Sequence, residues 1–123
     1  MKPQPKLLKE IERRGLASFA NNTRWGSFLR SIEDMGFTCR VKPVLWGGPS
    51  PWSGWLLPVD GYLEVTAAGP LPFREIEWIE FDTNGASLPE SPSSVDLLIQ
   101  QSASASLPIT DDGTGVVRVW GYR

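Results

Sequence analysis

Histidine is absent from the 123 residues, and cysteine occurs once, at Cys39. The absence of histidine removes the commonest general base, the usual partner of a nucleophilic serine or cysteine, and the commonest zinc ligand. A single cysteine allows no internal disulfide, which is typical of proteins from a reducing cytosol. Cys39 falls on the apolar side of a predicted strand, so we interpret it as a buried residue and not as a reactive thiol. We therefore predict a protein without a cofactor or a metal site.

Long apolar segments are also absent. No stretch approaches the roughly 18 consecutive apolar residues of a membrane-spanning helix. Charged residues interrupt the N-terminal segment where a signal peptide would need an apolar core. A chain of this length has the size of one domain, which we predict to cover residues 1–123. We expect a cytoplasmic protein with no membrane partner.

The charge that is present is unevenly distributed. Residues 1–30 contain seven basic and two acidic residues, whereas residues 31–123 contain five basic and twelve acidic residues. The basic N-terminal segment at 1–20 matches no known nucleic-acid-binding motif, so we do not expect nucleic acid as a partner. A two-sided charge distribution steers an oppositely charged partner and carries no information about the fold.

Two helices are predicted in the N-terminal part of the chain. Residues 5–14 can form a short helix. A second helix is predicted over 23–35, because its apolar residues recur at helical spacing, and Asn22 or Thr23 would cap its first turn. The apolar stripe of this helix consists of Trp25, Phe28, Leu29, Ile32 and Met35.

The apolar period then changes to two, which indicates strands. Segments 37–42, 62–68 and 73–82 alternate in this way, and an Asp-Gly pair near the C-terminus can form the tight turn of a hairpin. A further helix is predicted near 92–102. The order of these elements predicts an α+β fold, in which an antiparallel sheet of about four to five strands has two to three helices packed on one face.

The predicted strand FREIEWIEFD contains four carboxylates. They are Glu75, Glu77, Glu80 and Asp82. The first two share one side of a strand, and the last two fall on the other side because the alternation slips at Ile79. A bulge at Ile79 would return all four to one surface, since an extra residue resets the alternation. Without a bulge, Glu80 would point inward, and Arg74 is the nearest candidate for its partner.

Three interpretations of these carboxylates are open. In the leading hypothesis they form an acidic, solvent-facing strand that binds a basic partner, since no catalytic set accompanies them. A carboxylate hydrolase is the lowest-ranked functional hypothesis. It rests on the spacing of Glu75 and Glu77, which overlaps that of two-carboxylate glycosidases. The plainest interpretation is the solvated face of an ordinary sheet.

Three of the six tryptophans lie in a loop rich in proline and glycine. They are Trp46, Trp52 and Trp55. They could form a platform for a sugar or a proline-rich peptide, which is the alternative function that we consider, or they could anchor a protein interface. The plainer interpretation is a small hydrophobic core beneath the loop. Trp25 and Trp78 fall on predicted apolar faces and are expected in the core.

Three stretches of the chain are LASFANNTRW at 16–25, GPLPFREIEWIEF at 69–81 and the ending WGYR. Together they resemble a small bacterial family of unknown function, whose members carry Asn-Asn-Thr-Lys-Trp, Pro-Phe-(basic)-Glu-Ile-Glu-Trp and a similar ending. Arg24 stands where that family usually has lysine, and the loop at 46–55 is not matched. The matching positions are Asn21, Asn22, Thr23, Trp25, Pro72, Phe73, Arg74, Glu75, Ile76, Glu77, Trp78, Gly121, Tyr122 and Arg123. The resemblance implies no activity.

We therefore expect a non-enzymatic protein-binding module. Small acidic α+β proteins of this style are similar to bacterial immunity or antitoxin proteins, which is an analogy of style and not of motif. The expected partner is a basic protein, such as a toxin domain, that would contact the acidic strand. Nothing in the sequence indicates an oligomeric state.

Overall fold

The structure is a computed structural model that describes residues 5–66, 68–84 and 94–123. Three α-helices and seven strands lie within these residues. In chain order they are α1 (Pro5–Arg14), α2 (Asn22–Ile32), β1 (Thr38–Pro43), β2 (Leu56–Val59), β3 (Tyr62–Val65), β4 (Leu71–Pro72), β5 (Ile76–Asp82), α3 (Ser94–Ser104), β6 (Ile109–Asp111) and β7 (Val116–Trp120). The predicted α+β class with antiparallel strands is confirmed.

The second helix begins one residue earlier than the sequence predicts. Its N-cap is Asn21, whose side-chain oxygen accepts a hydrogen bond of 2.8 Å from the backbone N–H of Arg24. The expectation that Asn22 or Thr23 would cap the helix is therefore wrong, because both already lie within its first turn. The helical path ends in a 3₁₀ turn, Glu33–Met35, before a left-handed glycine.

Two predicted elements extend into residues that the structure does not describe. The last helix was expected over 92–102, and α3 is described over Ser94–Ser104, so positions 92 and 93 lie outside the described residues. The strand expected over 62–68 ends at Val65, and position 67 lies outside the described residues.

Four strands form the larger sheet, in the order β1-β5-β7-β6, and every neighbouring pair is antiparallel. One face of this sheet packs against α2 and α3. Because side chains alternate between the faces of a strand, the inward positions are fully buried and apolar. The core residues from these elements are Trp25, Phe28, Leu29, Ile32, Cys39, Val41, Ile79, Phe81, Leu98, Val117 and Val119.

The alternate positions of the larger sheet form its other face, which we call the outer face. It carries Arg40 and Lys42 from β1, Trp78, Glu80 and Asp82 from β5, and Arg118 and Trp120 from β7. Cross-strand register places Glu80 directly between Arg40 and Arg118. Charged side chains on neighbouring strands are therefore close enough to pair.

Three short strands form a second sheet in the order β2-β3-β4. β2 and β3 are joined by a two-residue turn at Asp60 and Gly61, whose φ angles are 46° and 86°. Positive φ at both turn residues matches the twist of the flanking strands, and glycine adopts it without steric cost. The inward side chains of this sheet, among them Leu63 and Val65, join the same core as the larger sheet.

The irregularity of β5 lies at Glu77 and not at Ile79. Lys42 pairs with Trp78, whereas the next residue of β1, Pro43, pairs with Ile76, so Glu77 is the extra residue. The sequence left open whether a bulge lies at Ile79, and the structure answers this, because the register runs without interruption through that position. The extra residue also moves Trp78 to the outer face, where it is buried outside the core cluster, and this corrects its predicted place in the core.

The first part of the predicted strand at 73–82 is a 3₁₀ turn. Residues Phe73–Glu75 form this turn, and the strand begins at Ile76. Glu75 therefore does not share a strand face with Glu77. The expected pair of glutamates two positions apart on one strand is absent from the structure for this reason.

Candidate functional site

Two arginines on neighbouring strands converge on one carboxylate at the centre of the outer face. Arg40 Nε lies 2.7 Å from Glu80 Oε1, and Arg118 Nη2 lies 2.7 Å from Glu80 Oε2. Glu80 is only 7% exposed. A buried carboxylate is costly unless it is paired and hydrogen-bonded, so the two guanidinium groups explain why Glu80 is tolerated there. The partner expected for Glu80, Arg74, is not one of these two arginines.

The same guanidinium groups lie against tryptophan rings. The Arg40 guanidinium carbon is 4.6 Å from the ring centroid of Trp52. Arg118 lies 4.0 Å from the centroid of Trp78 and 5.1 Å from that of Trp120. These distances are within the range of cation–π attraction. We call this set of residues the Arg–Trp array: Arg40, Trp52, Trp78, Glu80, Arg118, Trp120 and Arg123, the last of which lies 5.0 Å from the Trp120 ring.

A second buried carboxylate lies at the bulge of β5. Glu77 is 5% exposed. Arg14 of α1 donates to it through Nη1 and Nη2, at 2.8 and 3.0 Å, and Lys42 Nζ lies 3.0 Å from Oε1. Burial by itself would raise the pKa of this carboxyl, but the hydrogen bonds from Arg14 and Lys42 outweigh it and hold the pKa below its ordinary value. Glu77 therefore ties α1 to the sheet as a carboxylate anion.

The structure does not bring the four predicted carboxylates together on one exposed surface. Glu77 and Glu80 are buried and engaged by separate pairs of cations. Glu75 is half-buried in the 3₁₀ turn, and Asp82 is half-buried at the end of β5, where it accepts a hydrogen bond from the backbone N–H of Asn84. Their role in binding a basic partner stays a prediction, and only Glu75 and Asp82 present partly accessible carboxylates for it.

The hydrolase hypothesis needs a carboxyl that can donate a proton. A general acid in such an enzyme has a raised pKa, because its surroundings disfavour the charged form. The two cations beside Glu77 act in the opposite direction. The surroundings of Glu77 are therefore those of an ion pair that stabilises the fold.

The tryptophan-rich loop is fixed along the free edge of β1 by two buried serines. Ser50 N–H donates to the carbonyl of Val41, and Ser50 Oγ accepts from the N–H of Val41. Ser53 exchanges two backbone hydrogen bonds with Cys39, and its hydroxyl donates to the carbonyl of Trp55 at 2.6 Å. Buried hydroxyls with all these partners hold a loop in one conformation.

The loop tryptophans do not form the small hydrophobic core that was one interpretation of the sequence. Trp46, Trp52 and Trp55 are 40%, 38% and 50% exposed, and the ring pairs found among the described residues include none of them. They also lie in three different surroundings. Trp46 borders an open cavity of about 590 Å³ together with Arg13, Arg14 and Lys42, Trp52 lies against Arg40, and Trp55 precedes β2.

An apolar stripe follows the outward side of β2. Trp55, Leu57 and Val59 occupy alternate positions and are 50%, 43% and 45% exposed. On β3, Glu64 lies opposite Leu57 and Tyr62 lies opposite Val59. A cavity of about 260 Å³ adjoins the stripe, and Val59, Asp60, Tyr62, Glu64 and Pro70 line it. Exposed apolar side chains that are contiguous and edged by polar residues mark interaction surfaces.

Sequence reasoning missed Leu57 and Val59 because the residues beside them, Leu56 and Pro58, are also apolar. The run from Trp55 to Val59 shows no alternation, although the structure buries one set and exposes the other. Cys39 behaves as expected: it is fully buried, and burial raises the pKa of its thiol to about 12. This thiol is therefore not an accessible nucleophile.

In the ranges that the structure describes, no three His, Cys, Asp or Glu side chains are grouped so that they could hold a metal ion. None of the helices found there is both long and apolar enough to cross a membrane. Neither observation assigns a function.

The three stretches that carry the family resemblance meet in the structure. The ring of Trp25 lies about 3.0 Å from the position that a Cβ atom would take at Gly121, and Ile76 O lies 2.5 Å from that position. Only glycine allows this close approach of backbone and ring. Gly121 N–H donates to the carbonyl of Glu77, and the Tyr122 hydroxyl donates to the carbonyl of Arg74 at 2.6 Å. The shared residues thus join α2, the bulged part of β5 and the C-terminus.

Comparison with known proteins agrees with this resemblance. A match covering residues 7–123 is found to a family described as "Family of unknown function (DUF6678)". No curated protein and no solved structure matches the chain. Because the match covers almost the whole sequence, the chain belongs to the DUF6678 family, whose function is unknown.

Proposed function

We propose that this chain is a non-enzymatic protein-binding module that uses the apolar stripe of Trp55, Leu57 and Val59 to bind a basic protein partner. The observation that carries the proposal is the exposure of these three side chains, between 43% and 50%, at alternate positions of β2 and of the residue just before it. Strand residues with fixed backbones are good interface anchors, because little conformational entropy is lost when they bind. Tryptophan is among the residues that contribute most to binding at interfaces.

The charge around the stripe supports a basic partner. From Trp55 to Phe73 the chain contains two acidic residues, Asp60 and Glu64, and no lysine or arginine. Both carboxylates border the cavity beside Val59. An apolar centre with an acidic rim complements a partner surface in which apolar residues are surrounded by basic ones. An immunity or antitoxin protein that neutralises a basic toxin domain would need such a surface.

The free edge of β2 favours docking of a partner onto the face of the strand and not along its edge. β2 is an edge strand that pairs with β3 on one side only, and Pro58 is one of its four residues. Proline has no N–H to donate, and proline on an edge strand discourages the addition of another strand. The side chains of the stripe, and not its backbone, therefore offer the contact.

The proposal is tested with the double variant Leu57→Ser/Val59→Ser. Partners are captured from a lysate of the source cells, identified, and purified for titration calorimetry. We expect a basic protein whose affinity falls about tenfold or more in the double variant, because two buried anchor side chains are lost. The matched control is Ile99→Ser, which alters an apolar residue of α3 that is also about 40% exposed.

Two results would contradict the proposal. One is a purified partner that binds the double variant and the wild type equally. The other is a partner whose association rate rises with added salt, because attraction between a basic partner and an acidic rim must weaken when salt screens it.

A second candidate function is the binding of a small ligand, either a sugar or a proline-rich peptide. The cavity of about 590 Å³ beside Trp46 favours it, because an exposed aromatic ring borders an open space there. Titration of tryptophan fluorescence against a panel of sugars and proline-rich peptides tests this candidate. A response that persists in Trp46→Leu would rule out this cavity as the binding site.

A further inference from the structure

We propose that Arg40 and Arg118 form a second binding site, on the outer face of the larger sheet, for an acidic peptide segment in an extended conformation. This proposal does not depend on the proposed function, because the outer face and the β2 stripe belong to different sheets and differ in charge. The proposal rests on the hydrogen bonds of the two arginines, the charge of the face and the burial of the neighbouring rings.

The two guanidinium groups are held in place before any ligand arrives. Each makes a contact of 2.7 Å with the carboxylate of Glu80, and each lies against a tryptophan ring. An arginine side chain that is already fixed loses little entropy when it forms further hydrogen bonds. The arrangement therefore lowers the cost of binding an anion.

Both arginines keep donors that their partners do not use. Arg40 donates to Glu80 through Nε, and Arg118 donates through Nε and Nη2. These are the side-chain hydrogen bonds that the described residues provide, so Nη1 and Nη2 of Arg40 and Nη1 of Arg118 remain for a ligand. Their side chains are 32% and 34% exposed. A carboxylate is the natural acceptor for such groups, since it binds guanidinium with short, charge-assisted hydrogen bonds.

The charge of the outer face favours an anionic occupant. Its strand positions carry three basic residues, Arg40, Lys42 and Arg118, and two acidic residues, Glu80 and Asp82. Asp112 lines a cavity together with Glu80 and Arg118. Because the guanidinium groups of Arg40 and Arg118 share the single negative charge of Glu80, one positive charge of the two is not balanced by it.

The two arginines lie near each other, so that one extended acidic segment can contact both. Their guanidinium groups bind opposite oxygens of one carboxylate, although they come from β1 and β7, the two strands that flank β5. In an extended peptide, side chains two residues apart lie on the same side at roughly 6.6 Å. A segment with an acidic residue at every second position would thus present successive carboxylates to Arg40 and Arg118.

Single-stranded nucleic acid fits this face less well, although it is also anionic. Its bases need open aromatic faces for stacking. Trp78 is 6% exposed beneath Arg118, and the ring of Trp120 has Arg118 and Arg123 within 5.1 and 5.0 Å. The guanidinium groups occupy the positions that bases would need, and their N–H groups are left to bind carboxylates.

The test measures fluorescence anisotropy of a short labelled peptide with glutamate at every second position. The matched probe has glutamine at the same positions. We expect the glutamate peptide to bind, the glutamine peptide not to bind, and added salt to weaken the complex. Arg40→Gln should weaken binding about tenfold, because a charge-assisted hydrogen-bond pair is lost. The matched control is Arg30→Gln, an equal change of charge at an exposed position of α2.

A loss of affinity in Arg30→Gln equal to that in Arg40→Gln would overturn the proposal, since it would show an effect of net charge alone. Failure of the glutamate peptide to bind would also overturn it. Tighter binding of a labelled oligothymidine with the same dependence on Arg40 would assign the face to nucleic acid instead.

A measurement on the unaltered protein keeps the test valid if Arg40→Gln does not fold. Arginine Nε–H signals in ¹H–¹⁵N spectra of the wild type should include those of Arg40 and Arg118, and both should shift as the glutamate peptide is added. Shifts confined to other residues would place the peptide elsewhere.

Discussion

The outer face of the larger sheet and the stripe on β2 both expose tryptophan, but their side chains are used in different ways. On the outer face, Trp52, Trp78 and Trp120 each have an arginine against the ring, and the arginines share Glu80. In the stripe, no ring or cation of the described residues lies against Trp55, which precedes β2. The side chains of the outer face contact one another and keep a few N–H donors unused. The side chains of the stripe are apolar and exposed to solvent.

This difference predicts that side chains of the outer face contribute mainly to stability and that side chains of the stripe contribute mainly to binding. Contacts that link neighbouring strands stabilise the folded state, so their removal should be measured as a loss of free energy of unfolding. Exposed apolar side chains gain little from folding, and their removal should change binding while leaving stability nearly constant. Four predictions test this separation, from the largest expected change to the smallest.

Among the variants of the outer face and the stripe, Glu80→Gln should give the largest loss of stability. The glutamine cannot balance the charges of Arg40 and Arg118, and breaking a buried ion pair costs about 2–4 kcal/mol even when the cations are partly exposed. Urea unfolding followed by circular dichroism measures the change. Glu64→Gln, beside the stripe on β3, is the control with the same substitution. If the two variants lost equal stability, the two regions would not differ as we argue.

Ser53→Ala should have the next largest effect. Ser53 is fully buried, and its hydroxyl bonds the carbonyl of Trp55 and the N–H of Thr66. Leaving these buried groups without a partner costs about 1–3 kcal/mol. The substitution should also loosen the loop that separates Trp52 of the outer face from Trp55 of the stripe.

Chemical denaturation measures this loss, and tryptophan fluorescence reports the loop. Ser27→Ala changes an exposed serine in the interior of α2 and serves as the control. An unchanged midpoint for Ser53→Ala would mean that the loop is not held by this serine.

The main features of the fold were accessible from the sequence because local patterns determine them. The apolar stripe of α2 and the alternation at 37–42 correctly predicted a helix and a strand, since each follows the periodicity of its own element. The sequence could not decide whether a bulge lies at Ile79, and the structure has one at Glu77 instead. Its position depends on how β5 pairs with β1 and on the two backbone N–H groups of Gly121 and Tyr122 that bond the carbonyl of Glu77. Those contacts join residues far apart in the chain.

The candidate surfaces could be predicted from the sequence only in part, for the same reason. The three loop tryptophans were identified from composition, but their separate surroundings depend on which side of β1 the loop follows. In the sequence, Glu77 and Glu80 resemble part of an exposed acidic strand, because no cation that could pair with them lies nearby in the chain. The cations that do pair with them come from α1, β1 and β7. Pairing with residues about 35 to 63 positions away leaves no local pattern in the sequence.

Acid should weaken the fold through Glu77. The folded-state pKa of this carboxyl is lower than its ordinary value of 4.5, so the unfolded chain binds a proton more readily than the folded one. The stabilising contribution is therefore complete above about pH 4.5 and is lost as the pH falls through the folded-state pKa. Thermal unfolding measured across this range should show a steeper decline for the wild type than for Glu77→Gln.

The control for the acid effect is Glu12→Gln, which removes an exposed carboxylate of α1 that has no ion pair among the described residues. Its profile should follow that of the wild type. If Glu77→Gln instead kept the full decline, the acid sensitivity would have to arise from other carboxylates.

Leu57→Ser should have the smallest effect on stability, about 0.5 kcal/mol or less, because a side chain that is 43% exposed on an edge strand loses little contact when it is shortened. The matched change on the core side of the same small sheet is Leu63→Ser, where the side chain is fully buried. That variant should lose several kcal/mol, since it combines a cavity with a buried hydroxyl. Urea titrations of both proteins measure the contrast. A large loss in Leu57→Ser would mean that the stripe supports the fold, and its exposure would then no longer argue for a partner.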